Sequence, residues 1–446
     1  MGELFGTDGA RGIAISSFTC ETAMQIGRAV AAVFCKGAQK PKIIIGLDTR
    51  VSAEVIQSAL VSGICSMGAD AVIVGVVPTP AVAVLVKKNN ACAGIMITAG
   101  ISDYRYNGVK IFGADGFRIS RDDEQQLEAL VEKGEFELKS GRDIGHIYYD
   151  KDGQWDYVRY MLKLVDSDFH GIKVAIDCAN GAAYDCAGKI FRGLGASVLL
   201  INDLPDGENI NRNCGTLELY GLIKTVVEEH CDLGLAFDGD GARCIAVDEA
   251  GRVLDGDRLM AIFTAFMQFS KKLNNNGCVV TKMTNSGFYK FARDAGIVTT
   301  ATKVGGLHVI DEMRRSGFNL GGEKSGNIIF LDDETTSDGL LVGTKLMTVM
   351  KLSQNKLSEL GKIMTANPQI LLDAHVKEEN KKKWRENSEI TQLIVTYSGK
   401  LGTEGRIYVR ESGTEPLVRI MIEGKKTGII TEYAKNIAET IERIYG

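Results

Sequence analysis

Lys42-Ile43-Ile44-Ile45-Gly46-Leu47-Asp48 is a short β-branched run closed by a glycine turn, and its reading decides the fold. A helical stretch follows, and Gly68-Ala69-Asp70-Ala71-Val72-Ile73-Val74-Gly75 then reads as the next strand. The same order of strand, loop, helix, glycine and strand returns between residues 173 and 201, and again between 278 and 299. Each copy is a βαβ unit, and strands this apolar belong in a sheet covered on both faces. Three copies predict three similar α/β domains, at residues 1–150, 151–252 and 253–365.

The last eighty residues follow another pattern. A charged stretch at 377–389 reads as the solvated face of a helix. It precedes alternating strand-like segments at 393–397, 406–410 and 417–423, and a helix from about Thr427. This predicts a fourth, smaller α+β domain at 366–446.

The 446 residues carry 52 Lys+Arg against 57 Asp+Glu, a net charge of −5. No basic field is available for nucleic acid or an anionic membrane surface. No apolar run approaches the ~20 residues of a membrane span, and Met1-Gly2-Glu3-Leu4-Phe5-Gly6-Thr7 has no signal-peptide core. The expectation is a soluble cytoplasmic protein. Its ten cysteines are scattered without a Cys-x-x-Cys spacing and read as reduced, buried thiols. The five histidines show no zinc-ligand spacing.

Four polar, glycine-rich loops stand out, one per domain, where α/β proteins place their ligands. Asp238-Gly239-Asp240-Gly241-Ala242-Arg243 follows an apolar run, and its alternate carboxylates suit a hard cation such as Mg²⁺. An acidic glycine turn without metal is an equal alternative. Arg410-Glu411-Ser412-Gly413-Thr414-Glu415-Pro416, with Arg419, offers backbone N–H groups, hydroxyls and two arginines to a phosphate. Gly322-Glu323-Lys324-Ser325-Gly326-Asn327 has the mixed donors and acceptors that read sugar hydroxyls, or is a plain turn. Thr98-Ala99-Gly100-Ile101-Ser102-Asp103 leads to Lys110, which could reach a phosphoryl oxygen. Gly6-Thr7-Asp8-Gly9-Ala10-Arg11 adds another arginine.

With these loops in place, the chain resembles the α-D-phosphohexomutases, and among them the bacterial phosphoglucosamine mutase branch. The likeness runs from Phe5-Gly6-Thr7-Asp8-Gly9 through Gly46-Leu47-Asp48-Thr49-Arg50, Pro78-Thr79-Pro80, Pro205-Asp206-Gly207, Cys214-Gly215 and Asp255-Gly256-Asp257 to the loop 410–416. The resemblance implies three α/β domains and a TATA-binding-protein-like fourth domain around a central cleft. It also implies phosphoryl transfer between an active-site phosphoserine and a hexose phosphate, with three aspartates and the phosphoserine holding Mg²⁺. Lys110, Arg11 and Arg243 take catalytic positions in that pattern. Glu323, Ser325, Asn327, Arg410, Ser412, Gly413, Thr414 and Arg419 take substrate positions, and Asp238 and Asp240 metal positions.

The departures fall on the chemistry. The family's Thr-Ala-Ser-His-Asn-Pro is here Thr98-Ala99-Gly100-Ile101-Ser102-Asp103, so the nucleophile position is a glycine. Ala242 replaces the third metal carboxylate, Gly306-Leu307 replace an acid and an arginine, and Asn327 replaces a histidine. The main expectation is therefore a non-catalytic member, a pseudoenzyme with weak or absent Mg²⁺. It binds a hexose phosphate of the glucosamine phosphate type, or pairs with an active mutase. Loss of a covalent nucleophile costs on the order of a millionfold in kcat. The alternative is an active phosphosugar mutase whose carrier is displaced to Ser102, or to Asp103. Another chemistry on the same scaffold is the remaining option. A homodimer through the first domain is an expectation of the resemblance alone.

Overall fold

A computed structural model describes residues 4–6, 8–402, 405–412 and 416–446. Strand Lys42–Leu47 lies inside a seven-stranded sheet, parallel to both Asp70–Val76 and Ala93–Ile97. Tyr106–Gly113 and Gly9–Ile13 extend that sheet antiparallel on one side, and Ile147–Tyr149 closes the other edge. Gly46 allows a helix to pack close, because a Cβ there would stand 2.7 Å from methyl carbons of Val77 and Val82.

The second unit is a five-stranded sheet centred on Lys173–Asp177 and Leu233–Phe237, which run parallel. Its edge strand Val253–Leu254 pairs with Cys244–Asp248, so the sheet runs two residues past the expected boundary at 252. The third is a four-stranded sheet around Gly277–Thr281. Helix Thr79–Lys88 is almost wholly buried. It joins Phe112 of the first unit, Phe237 of the second and Leu340 of the third in one continuous core. The three units are held to one another by apolar packing, and their strand-end loops converge.

The fourth unit is a three-stranded antiparallel sheet, Gln369–His375, Leu417–Gly424 and Gly405–Glu411, backed by helices Ser388–Leu401 and Thr427–Tyr445. Two expectations fail here. Residues 393–397 are not a strand but lie inside helix Ser388–Leu401. The helix wins because Ile390, Leu393, Ile394, Tyr397 and Leu401 fall on one face against the core, and the Asn387 side chain accepts from Ile390 N at 3.1 Å as its cap. The charged stretch is not a helix face either. It forms two short 3₁₀ turns, Glu378–Asn380 and Lys383–Glu386, pinned by the buried Trp384.

Candidate active site

The loop carrying Gly100 is gripped from below by an arginine. Arg50 is 2 % exposed, and its Nε pairs with the buried Asp48 at 2.9 Å. Its terminal nitrogens donate to the carbonyls of Gly100 (3.0 Å), Ser102 (2.9 Å) and Tyr106 (2.9 Å), and to Asp103 O. Asn211 Nδ2 donates to the same Gly100 and Ser102 carbonyls at 2.9 and 3.0 Å. Thr98 Oγ1 donates to Asp48 Oδ2 at 2.6 Å and accepts from Gly100 N. The loop is thus a rigid tray rather than a free connection. Gly100 itself sits at φ +57°, and no heavy atom lies within 4 Å of where a Cβ would stand. Space for a side chain exists there, but no side chain does.

The second loop touches the first: a Cβ on Gly239 would come within 2.8 Å of Gly100 O. Asp238 and Asp240 are both buried. Asp238 Oδ1 accepts from Arg243 N at 2.9 Å, and Arg243 Nε stands 3.6 Å from its other oxygen. Asp240 Oδ2 accepts from Thr79 Oγ1 at 2.6 Å and from Lys110 Nζ at 2.8 Å, while its Oδ1 faces Ala242 N at 3.3 Å. Lys110 Nζ also meets Asp8 Oδ2 at 3.0 Å, and Arg118 holds the other Asp8 oxygen at 3.0 Å. Burial, and then the Asp240 charge, pushes the Asp238 carboxyl up to about 7. At Asp240 burial is outweighed by Lys110 and Thr79, and the carboxyl is held below the usual range. At Asp8 burial is likewise outweighed, by Lys110, Arg118 and Arg11, and the carboxyl lies far below it.

The third loop brings Glu323, whose Oε2 accepts from Gly305 N at 3.1 Å. Its carboxyl is raised by burial, against the pull of Arg243 and that N–H group. Asn327 Oδ1 is buried without a hydrogen-bond partner. It borders a cavity of about 20 Å³ shared with Asp8, Lys110, Arg118 and Ala242, room for about one water. The fourth loop supplies Arg410 and Arg419, opposite each other on adjacent strands. Arg419 Nε lies 3.4 Å from Asp373, and burial, then Arg419, lowers the Arg410 pKa. Ser412 is buried at the turn, and Gly413 and Thr414 lie outside the described residues.

Gly100, Ser102, Asp238, Asp240, Arg243, Glu323, Ser325 and Asn327 thus lie on strand-end loops of the first three units, and Lys110 and Arg11 on strands Tyr106–Gly113 and Gly9–Ile13 of the first. Sequence reasoning did not single out Asp8, Thr79, Arg50, Asn211 and Arg118 as site residues. Asp8, Thr79 and Arg50 lie inside motifs quoted above, whereas Asn211 and Arg118 carry no sequence signal. Among the described residues no three His, Cys, Asp or Glu side chains stand together as a metal site.

Comparison with known proteins places this architecture. Phosphoglucomutase/phosphomannomutase domain models match in order: domain I at residues 2–138, domain II at 156–251, domain III at 255–366 and the C-terminal domain at 374–440. The chain belongs to the phosphoglucomutase/phosphomannomutase family, the phosphohexomutases. Within it the similarity is to the phosphoglucosamine mutases. The protein of that name from Clostridium acetobutylicum is 45% identical over 99% of both chains, and that from Acetivibrio thermocellus 43% identical over 100% of both. Among solved structures, a phosphoglucomutase/phosphomannomutase family protein from Burkholderia thailandensis superposes with a TM-score of 0.81 at 22% identity, covering 99% of this chain and 97% of its own. The Aspergillus fumigatus N-acetylphosphoglucosamine mutase, solved with GlcNAc-6P and magnesium, superposes with a TM-score of 0.69 at 15% identity, covering 100% and 96%. Among the described residues no helix is long and apolar enough to cross a membrane.

Proposed function

We propose that the cleft takes a hexose phosphate of the glucosamine phosphate type and holds it without running the phosphoserine cycle. The names of the full-length relatives support the sugar class. One observation carries the rest: position 100 has no side-chain oxygen, on a loop whose backbone is pinned by Arg50 and Asn211. Phosphoryl transfer works by positioning and charge neutralisation around a carrier, and the carrier is missing. The metal position is short of ligands as well. Mg²⁺ demands near-octahedral oxygen ligation, yet Ala242 brings no carboxylate and Lys110 already lies against Asp240. On this reading Asp238 and Asp240 serve Arg243 and Lys110 rather than a tightly bound divalent cation. The sugar phosphate is held by Arg410, Ser412 and Arg419, with Glu323, Ser325 and Asn327 toward its hydroxyls.

The relatives' names favour a second reading, an active glucosamine-phosphate mutase with its phosphoryl carrier at Ser102. Two residues of extended chain span about 6–7 Å, and reacting atoms must approach to ~3–3.5 Å. That reading needs the loop to shift register, which breaks the Arg50 and Asn211 bonds to the Ser102 carbonyl at 2.9 and 3.0 Å. Calorimetry with glucosamine 6-phosphate beside a coupled mutase assay tests both. Binding without turnover is the proposed result, and turnover above ~1 s⁻¹ establishes the second reading instead. Association with an active mutase, or a homodimer through the first unit, belongs to the same proposal and is tested by sedimentation of the mixture and of the chain alone.

A further inference from the structure

Away from the cleft, a cavity of about 330 Å³ opens where the second and third units meet the linker to the fourth. That is the lower end of the roughly 300–1,000 Å³ typical of small-molecule sites. Its charged and polar lining is Arg252, Arg258, Lys362, Asp248, Ser358 and Thr365. The one carboxylate there is already satisfied: Asp248 accepts from Ala250 N, Arg252 N and Arg252 Nε at 2.9–3.0 Å. Among the described residues Lys362 pairs with Glu359, on the exposed side of the same turn. The Arg258 guanidinium has no carboxylate within ion-pair distance among the described residues and donates to Gly361 O at 3.1 Å. Glu249 accepts from Ser358 N and Oγ, and Glu359 holds Lys362; among the lining residues themselves the neutralised Asp248 is the one acid against Arg252, Arg258 and Lys362.

The far wall leads into the linker. Met364, Thr365 and Ala366 line the cavity. Immediately beyond, Asn367 N donates to Asn285 Oδ1, and Asn285 Nδ2 to Asn367 O, both at 2.9 Å. An occupant would touch the segment from which the fourth unit, with Arg410 and Arg419, is hung. We propose that this cavity is a second anion site, for a phosphate dianion, free or as a small monoester, seated on Arg258 and flanked by Arg252 and Lys362. It rests on no part of the reading of the main cleft.

The test uses the full chain carrying Arg419→Ala, which weakens the main-cleft phosphate loop. Inorganic phosphate and glycerol 3-phosphate are titrated separately by calorimetry, which distinguishes free phosphate from a monoester. Saturable binding of either probe is expected, weakened about tenfold or more by adding Arg258→Gln. Thr365→Glu, at an exposed position of the rim, puts a like charge against the anion and should weaken binding similarly; it carries the test if Arg258→Gln does not fold. Hydrogen exchange should show new protection at residues 358–366. Absence of binding, indifference to both substitutions, or protection confined to residues 405–424 would overturn the proposal.

Discussion

Lys110 Nζ lies 2.8 Å from Asp240 Oδ2, joining the first unit to the loop at which the family's metal is expected. The ammonium is 8 % exposed and Asp240 is fully buried, so neither charge is much screened by water. Asp8 closes the other side of the ammonium at 3.0 Å.

Removing that cation strands the buried Asp240 carboxylate, while Asp8 keeps its pair with Arg118. Lys110→Ala should destabilise the protein by about 3–5 kcal/mol, the cost of breaking a buried pair from one side. Thermal unfolding checks this. Millimolar Mg²⁺ should then raise the Tm of Lys110→Ala more than that of the parent chain, because the Asp240 carboxylate is released to a new cation. Equal Mg²⁺ responses in both proteins would show that Lys110 does not stand in the cation's place.

Gly100→Ser should fold and remain inactive. The open space accepts the side chain, and the φ of +57° costs a non-glycine residue about 1–2 kcal/mol. The serine would still lack the Ala242 carboxylate and the residues replaced by Ile101, Gly306 and Leu307. Groups acting as a unit are strongly non-additive. Gly100→Ser, Ile101→His and Ala242→Asp together should let the new serine take up phosphate from a sugar bisphosphate. Intact mass and a coupled assay compare the single with the triple variant, and full activity from the single would refute the weight placed on metal and positioning.

Arg419→Ala should weaken glucosamine 6-phosphate binding by about tenfold or more, as expected for the loss of a charge-assisted contact to phosphate. Calorimetry measures it. An unchanged affinity would remove the fourth loop from the binding site.

The first α/β unit was legible from its β-branched run ending in glycine, Ile43-Ile44-Ile45-Gly46, and the other two because they repeat its order of apolar strand, helix, glycine and strand. The fourth unit was less so. Leu393-Ile394-Val395-Thr396-Tyr397 has the composition of a strand, and only its placement against Ile430 and Ile437 in the core makes the helical face decisive. Strand Gln369–His375 went unnoticed because it pairs with Leu417–Gly424, whose partners cannot be read locally. In the site, the loops were visible as glycine-rich motifs. The Lys110–Asp8–Asp240 cluster was not, since it exists only after the first two sheets have docked.

A pH effect follows from a different buried acid. Glu334 is 1 % exposed, with neither carboxyl oxygen hydrogen-bonded. Burial first, and Asp338 next, raises its pKa well above the ordinary 4.5. Burial also pushes Asp338, bonded to Tyr157 Oη at 2.7 Å, up to about 6. The folded state then holds more protons than the unfolded chain, so stability is full below the ordinary carboxylate pKa and falls as pH rises through the raised values. Glu334→Gln should be more stable than the parent at pH 8 and less sensitive to pH between 5 and 8, as read from urea unfolding. A parent whose stability rises steadily across that window would contradict the assignment.

On the proposed reading this phosphohexomutase carries no phosphoryl group on the loop at Gly100. Incubation of the purified chain with glucosamine 1,6-bisphosphate, followed by intact-protein mass spectrometry and peptide mapping, tests it most directly. The predicted result is an unmodified mass alongside saturable glucosamine 6-phosphate binding. A stable phosphoryl adduct at Ser102, or at Asp103, would contradict the claim and make the chain a mutase with a displaced carrier.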